Sequence, residues 1–298
     1  MDNIELENWR KAGRITAQAR QYALEVVKPG VKLLDAAELI EKKIADLEGQ
    51  PAFPVNISLN DCAAHYTPQP NDPAVFSDQL VKVDVGVHVD GCIGDSAITI
   101  DLSGKHAALV QSARDALDAA IHALKAGASL GEIGKTVHAT ITSKGFAPVI
   151  NLSGHGLRKY VVHDPPNVPN YDTHDTRRLQ PGQVIAIEPF ASTGVGKIYE
   201  SGNALIFSVG KKAGIRNVLT KKVYVEMEKY KGLPFATRWL AKKFPEAQVS
   251  YAIRDLMQLG VLHDYPPLLD EGHGMVAQAE HTIYVGENGI EILTEYGF

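Results

Sequence analysis

The chain has 298 residues, 45% apolar and 22% charged, with a net charge of −5. This is ordinary globular composition, long enough for one large domain or two smaller ones, and it argues neither for nor against a polyanionic partner. Only Cys62 and Cys92 occur, which speaks against a disulfide scaffold and for a reducing compartment. No run approaches the ~18 apolar residues of a membrane span, and the opening MDNIELENWRKAGRI lacks a basic segment followed by an apolar one. A cytoplasmic protein is expected.

Ile4, Trp9, Ile15, Ala19, Ala23 and Val27 recur at roughly helical spacing, and Pro29-Gly30 ends the run, so the pattern predicts a helix over 4–27 and a second over 33–47. The segment Leu80–Ile100 changes period. Val81, Val83, Val85, Val87 and Val89 alternate with Lys82, Asp84, Gly86, His88 and Asp90, the signature of a half-buried strand. Asp90-Gly91 is a two-residue hairpin turn, followed by a returning strand over 93–100. With that turn, Asp84 faces Ala97 and Asp95 faces Gly86, placing both carboxylates on one face as diagonal neighbours roughly 7–8 Å apart. Such a pair can converge on one or two cations, and Gly86 leaves space beside Asp95 for something other than a side chain. Two solvated aspartates on the polar face of a ribbon would show the same pattern.

Helices are predicted over 106–124 and 130–144. Aligning VVKPGVKLLDAAELI (26–40) with ALKAGASLGEIGKTV (123–137) matches Lys28 with Lys125, Gly30 with Gly127 and Leu33 with Leu130, each 97 apart. We read this as an internal duplication of a helix–turn–helix unit followed by strands; chance similarity of amphipathic helices is the alternative. His65 and His163 differ by 98, so two halves related by a pseudo-twofold axis would carry them to opposite sides of a central site. A lone histidine is more often structural; the shared offset is what singles these out.

From Ala147 to Phe190 the chain reads as short strands and loops. His155 lies between Gly154 and Gly156, a permissive backbone that could bring an imidazole close to an ion. QVIAIEPF is a nearly continuous apolar strand interrupted by Glu188, and MVAQAEHTIYV is another interrupted by Glu280, before a turn and the closing strand IEILTEYGF. A carboxylate in such a run is costly to bury unless it is paired or binds a metal. Residues 211–243 hold ten basic side chains (Lys211, Lys212, Arg216, Lys221, Lys222, Lys229, Lys231, Arg238, Lys242 and Lys243) against Glu226 and Glu228. That asymmetry fits either a solvated helical face or a dock for ribosomal RNA or another acidic surface. Helices are predicted over 234–243 and 247–259.

Asp84, Asp95, His155, Glu188 and Glu280 together form an oxygen-rich set with one nitrogen. It suits two divalent ions such as Mn, Fe, Co or Zn, which could share a water and polarise an amide carbonyl for hydrolysis. In this order, with the flanking strings AAHYTP, VDVGVHVDG, GHG, IEPF and AEHT, the five residues resemble the methionine aminopeptidases of the pita-bread fold, over almost the whole chain. The resemblance implies an α+β fold of two pseudo-symmetric halves. The 92 residues between Glu188 and Glu280 resemble the type 2 enzymes, with an inserted helical, winged-helix-like subdomain at 211–267 and a catalytic body of 1–210 and 268–298. Without an N-terminal extension, the chain looks most like the short archaeal members.

The resemblance further implies that Asp84 chelates one metal and His155 the other, with Asp95 and Glu280 bridging. Glu188 would be both ligand and proton shuttle, and His65 and His163 would face the scissile peptide. Phe53, Val162 and Tyr265 match positions lining the methionine pocket. The implied partners are N-termini of nascent polypeptides with a small second residue, with ribosome contact through the basic insertion and a monomeric state. Cys62 and Cys92, near His65 and Asp95 in sequence, are candidate sites of inhibition by oxidation or soft metals. Two rivals share the fold: a proline-directed aminopeptidase P or prolidase, which usually carries a further N-terminal domain, and a non-catalytic ribosome- or nucleic-acid-binding relative, expected to lose ligands.

Overall fold

The computed structural model describes residues 2–125, 127–211 and 213–295. Helix α1 (Asn3–Val26) starts where the Asp2 carboxylate accepts from the Glu5 amide, and buries Trp9, Ala12, Ile15, Ala19 and Ala23. Helix α2 (Leu33–Asp46) follows the Pro29-Gly30 turn. The second pair is α3 (Ala107–Lys125) and α4 (Leu130–Ser143), the latter opened by a Ser129/Glu132 capping box. Helices α2 and α4 are each 14 residues long and begin 97 residues apart, as the duplication requires. All four lie within about a residue of expectation at most of their ends.

Each helix pair covers a sheet. In the first half Leu80–Val89 is central, paired with Cys92–Asp101, Asn56–Leu59 and Gln50–Pro51. In the second the order is Gly289–Ile292, His281–Gly286, Val184–Ile187, Ser153–Arg158, Val161–Pro169. One apolar core, including Ile15, Leu33, Ile40, Val83 and Val85, fills the space under α1 and α2; another, including Leu117, Ile121, Ile133, Ile185 and Ile283, lies under α3 and α4.

The halves meet through hydroxyls. Ser96 Oγ donates to the Glu280 carbonyl at 2.6 Å. Thr99 Oγ1 donates to the Gln278 carbonyl and accepts from its amide, and Thr282 Oγ1 does the same for Asp95 at 2.7 Å in each direction. Side chains thus complete the backbone hydrogen bonding where two strands approach without a ladder.

Within the second half, residues 206–211 and 213–265 form a small unit with its own core, including Phe207, Val223, Met227, Phe235, Leu240 and Leu256. It holds α5 (Val218–Met227), α6 (Thr237–Ala241), α7 (Glu246–Gln258) and a sheet in which Ile206–Val209 pairs with Phe235–Ala236 and Leu262–Tyr265. The expected helix over 234–243 starts only at Thr237 because Phe235 and Ala236 are held as a strand. Helix α5 was not expected: Val218, Leu219 and Val225 are exposed, so VLTKKVYVEM shows no clean apolar face.

Candidate metal centre

The Asp90-Gly91 turn places the two aspartates as their spacing predicts. Both turn residues have positive φ, 49° and 85°, and the register pairs Asp84 with Ala97 and Gly86 with Asp95. The gap beside Asp95 is taken, however, by Phe53. A Cβ on Gly86 would lie 2.1 Å from its ring, so this glycine makes room for a side chain after all.

Glu188 and Glu280 are not inside continuous strands. Val184–Ile187 ends before Glu188, and Phe190–Ser192 begins after Pro189 in a different sheet. Val276–Gln278 and His281–Gly286 are broken in the same way around Glu280. These segments pair with each other on both sides of the break, so the two glutamates project from adjacent kinks between two sheets. His155 lies opposite Ala186 within the second-half sheet. Its flanking glycines are needed by the neighbours: a Cβ on Gly154 would meet the Ala186 carbonyl at 2.3 Å, and one on Gly156 the Pro165 carbonyl at 2.4 Å.

Asp84, Asp95, His155, Glu188, Glu280, His65, His163, Phe53, Val162 and Tyr265 all line one cavity of about 240 Å³. Ligating atoms of Asp95, His155 and Glu280 lie within 4.8 Å of one another. His155 Nε2 is 3.4 Å from Glu188 Oε1 and 3.9 Å from Asp95 Oδ2. Asp84 lines the same cavity, and its charge helps to raise the Asp95 carboxyl. The Tyr265 ring neighbours both expected substrate histidines, its centroid 5.6 Å from that of His65 and 6.2 Å from that of His163.

Burial pushes Asp84 up to about 7. Asp95, Glu188 and Glu280 are raised well above the ordinary carboxylate range by burial and by one another's charge. Burial holds His155 down at about 3 and His65 at about 4, so both imidazoles are neutral, the form in which His binds metal. Asp84 Oδ1, Asp95 Oδ1, Glu280 Oε2 and His65 Nδ1 are buried without a hydrogen-bond partner. Unpartnered carboxylate oxygens packed around a neutral imidazole are what a divalent cation would satisfy, and the donor set fits one.

A family model described as "Metallopeptidase family M24" matches residues 7–287. The chain belongs to this family. It is therefore a metal-dependent hydrolase, and the pita-bread fold is the one its architecture shares with solved relatives. The methionine aminopeptidase of Archaeoglobus fulgidus is 45% identical over 297 residues, covering 99% of this chain and all of that one. The crystal structure of the Thermotoga maritima methionine aminopeptidase is 25% identical, covers 99% of this chain and 98% of its own, and superposes with a TM-score of 0.72. A solved thermophilic Arx1, at 16% identity, shares the fold over 98% of this chain and 91% of its own with a TM-score of 0.86.

The residue that sequence reasoning missed is Gln278. It is buried two residues before Glu280, and neither atom of its side-chain amide has a hydrogen-bond partner among the described residues. Its spacing of two from Glu280 was the available signal. The thiols do not join the site. Neither Cys62 nor Cys92 lines the cavity, burial raises both, Cys92 to about 11, and neither is a ready thiolate at neutral pH.

The basic stretch is partly spent inside the fold. Lys229 and Lys243 pair with Glu226, Lys242 with Glu38, and buried Arg238 with Glu41. Lys231 lies over the Tyr160 ring. Lys211, Arg216, Lys221 and Lys222 are exposed with no ion pair among the described residues; Lys212 lies outside them, as do the last three residues of the expected closing strand.

Proposed function

We propose that the chain removes the N-terminal methionine from nascent polypeptides with a small second residue, as a type 2 enzyme similar to archaeal members. The observation that carries this reading is the convergence of all five candidate ligands and both histidines on one cavity, in a chain aligned end to end with a methionine aminopeptidase. Asp84, Asp95, His155, Glu188 and Glu280 would hold two divalent ions (Co, Mn, Fe or Zn). When bound, the ions supply polarisation of water and of the scissile carbonyl.

The protein's own groups do the rest. Glu188, beside His155 and raised in pKa, takes a proton from the attacking water and passes it to the leaving amine. His65 and His163, both next to Tyr265, donate to the carbonyl oxygen as charge develops on it. Phe53, Val162 and Tyr265 supply an apolar wall for the methionine side chain.

We further propose that 1–210 and 268–298 form the catalytic body and 211–267 the winged-helix-like insertion, with Ile206–Val209 as its stem. Exposed Lys211, Arg216, Lys221 and Lys222 support ribosome contact in a monomeric, cytoplasmic enzyme; no helix among the described residues is long and apolar enough to cross a membrane. The test is hydrolysis of Met-Ala-Ser against Ala-Pro-Ala by metal-stripped protein with Mn, Co, Fe or Zn restored. Metal-dependent release of methionine, reduced at least about 100-fold in Glu188→Ala, is expected. Cleavage of Ala-Pro-Ala alone would move the chain to the proline-directed branch, and folded, metal-loaded protein without hydrolysis would defeat the enzymatic reading.

A further inference from the structure

Next to the kink at Glu280, a residue that also lines the metal-site cavity, is a second cavity of about 210 Å³. Its walls come from both halves: Arg20 on α1, Arg114 and Asp118 on α3, Thr99 on the first hairpin, and Glu280 and His281 at the second-half kink. Arg20 is half-buried, with no carboxylate within ion-pair distance among the described residues. Its Nη1 donates to Ser96 Oγ at 2.5 Å and reaches the Glu280 carbonyl and His281 Nδ1, each at 3.4 Å; Nη2 donates to the Thr294 carbonyl at 3.4 Å. These are neutral acceptors, and none involves Nε.

Arg114 is exposed at the mouth and likewise has no ion pair among the described residues, although Asp118 is one helical turn away. Burial lowers Arg20 to about 10; the Glu280 charge opposes that shift and the Arg114 charge adds to it. Two guanidiniums from different halves thus line one hollow together with two acidic residues, Asp118 and Glu280.

We propose that this second cavity binds a small oxyanion between Arg20 and Arg114. Guanidinium recognises planar and tetrahedral oxyanions through paired N–H donors, and two guanidiniums lining one hollow can offset the opposing charge of Asp118 and Glu280. Asp118 opposes an anion and limits affinity. Since the Arg20 guanidinium also holds the Glu280 carbonyl and the Thr294 carbonyl, an occupant would clamp the two halves together beside Glu280.

The test is calorimetric titration of metal-loaded protein with inorganic phosphate and, in parallel, with acetate, at ionic strength fixed with chloride. Phosphate could also reach the metal centre, so the arms rest on residues that do not line that cavity. Arg114→Ala is expected to weaken binding at least tenfold, and Asp118→Asn to tighten it severalfold, while Glu188→Ala leaves this component in place. Whichever anion binds with that dependence identifies the ligand as phosphoryl or carboxylate. Binding unchanged in both Arg114→Ala and Asp118→Asn, or no binding of either anion beyond chloride, would overturn the proposal. None of these arms depends on peptidase activity.

Discussion

Gly86 is the residue whose role changed most between sequence and structure. It was noted as open space beside Asp95, and that space is occupied by Phe53, which also lines the cavity. Gly86→Ala must therefore push the ring aside. A destabilisation of about 1–3 kcal/mol is expected from overpacking, together with a rise in KM for methionyl peptides larger than any fall in kcat. Denaturant melts and steady-state kinetics would read both, and an unchanged KM would show that the ring does not meet substrate. The glycines flanking His155 have a comparable reason in the carbonyls of Ala186 and Pro165. In all three cases the sequence marked the right residue, but the atom that requires it comes from a distant segment.

At the scale of elements, a buried ion pair ties α6 to α2. Arg238 on α6 meets Glu41 on α2, whose other carboxylate oxygen accepts from Trp239 Nε1 at 2.9 Å, while Arg238 Nη1 donates to Thr67 Oγ1 at 2.5 Å. Removing one partner leaves a buried charge without compensation, so Arg238→Ala should cost about 3–5 kcal/mol. The double variant Arg238→Met/Glu41→Leu should recover much of that loss, and a double-mutant cycle by denaturant unfolding checks it. In contrast, Lys221→Ala or Lys222→Ala, on exposed side chains of α5, should leave stability within about 0.5 kcal/mol. The predicted helices α1 to α4 were legible because each has an apolar face and a capping or turn signal. Helix α5 was not, because its apolar residues point both inward and outward.

For the whole molecule, the gathering of four carboxylates ties stability to metal and pH. Each has a folded, metal-free pKa above its ordinary value, so between those limits the folded chain holds more protons than the unfolded one and stability falls as pH rises. For Asp84 this window runs from 3.8 to about 7. His65 and His155 act in the other direction: their depressed values mean that stability falls as pH drops from 6.5 towards about 4 and about 3. A divalent cation must displace the carboxylate protons, which becomes easier as pH rises. The gain in Tm on adding Mn to stripped protein should therefore increase from pH 5.5 to pH 7.5 at constant metal concentration. Differential scanning calorimetry at both values would test this, and a gain that shrinks with pH would contradict the carboxylate assignment.

The sequence by itself determined what is encoded in a short window. The period-two valines and the Asp90-Gly91 turn set the register of Asp84 and Asp95, helical periodicity and its 97-residue recurrence gave the two-half plan, and the order of five ligand types pointed to the metallopeptidase reading. Tertiary structure decided what depends on segments far apart in the chain. It broke two apparent strands so that Glu188 and Glu280 emerge at neighbouring kinks, and tied Asp95 to Thr282 and Glu280 to Ser96. It also set Arg20 and Arg114 around one hollow beside Glu280. The physical reason is that backbone period and turn geometry are local properties, whereas convergence of charge at a centre is fixed only when the two cores pack and close the distance between halves.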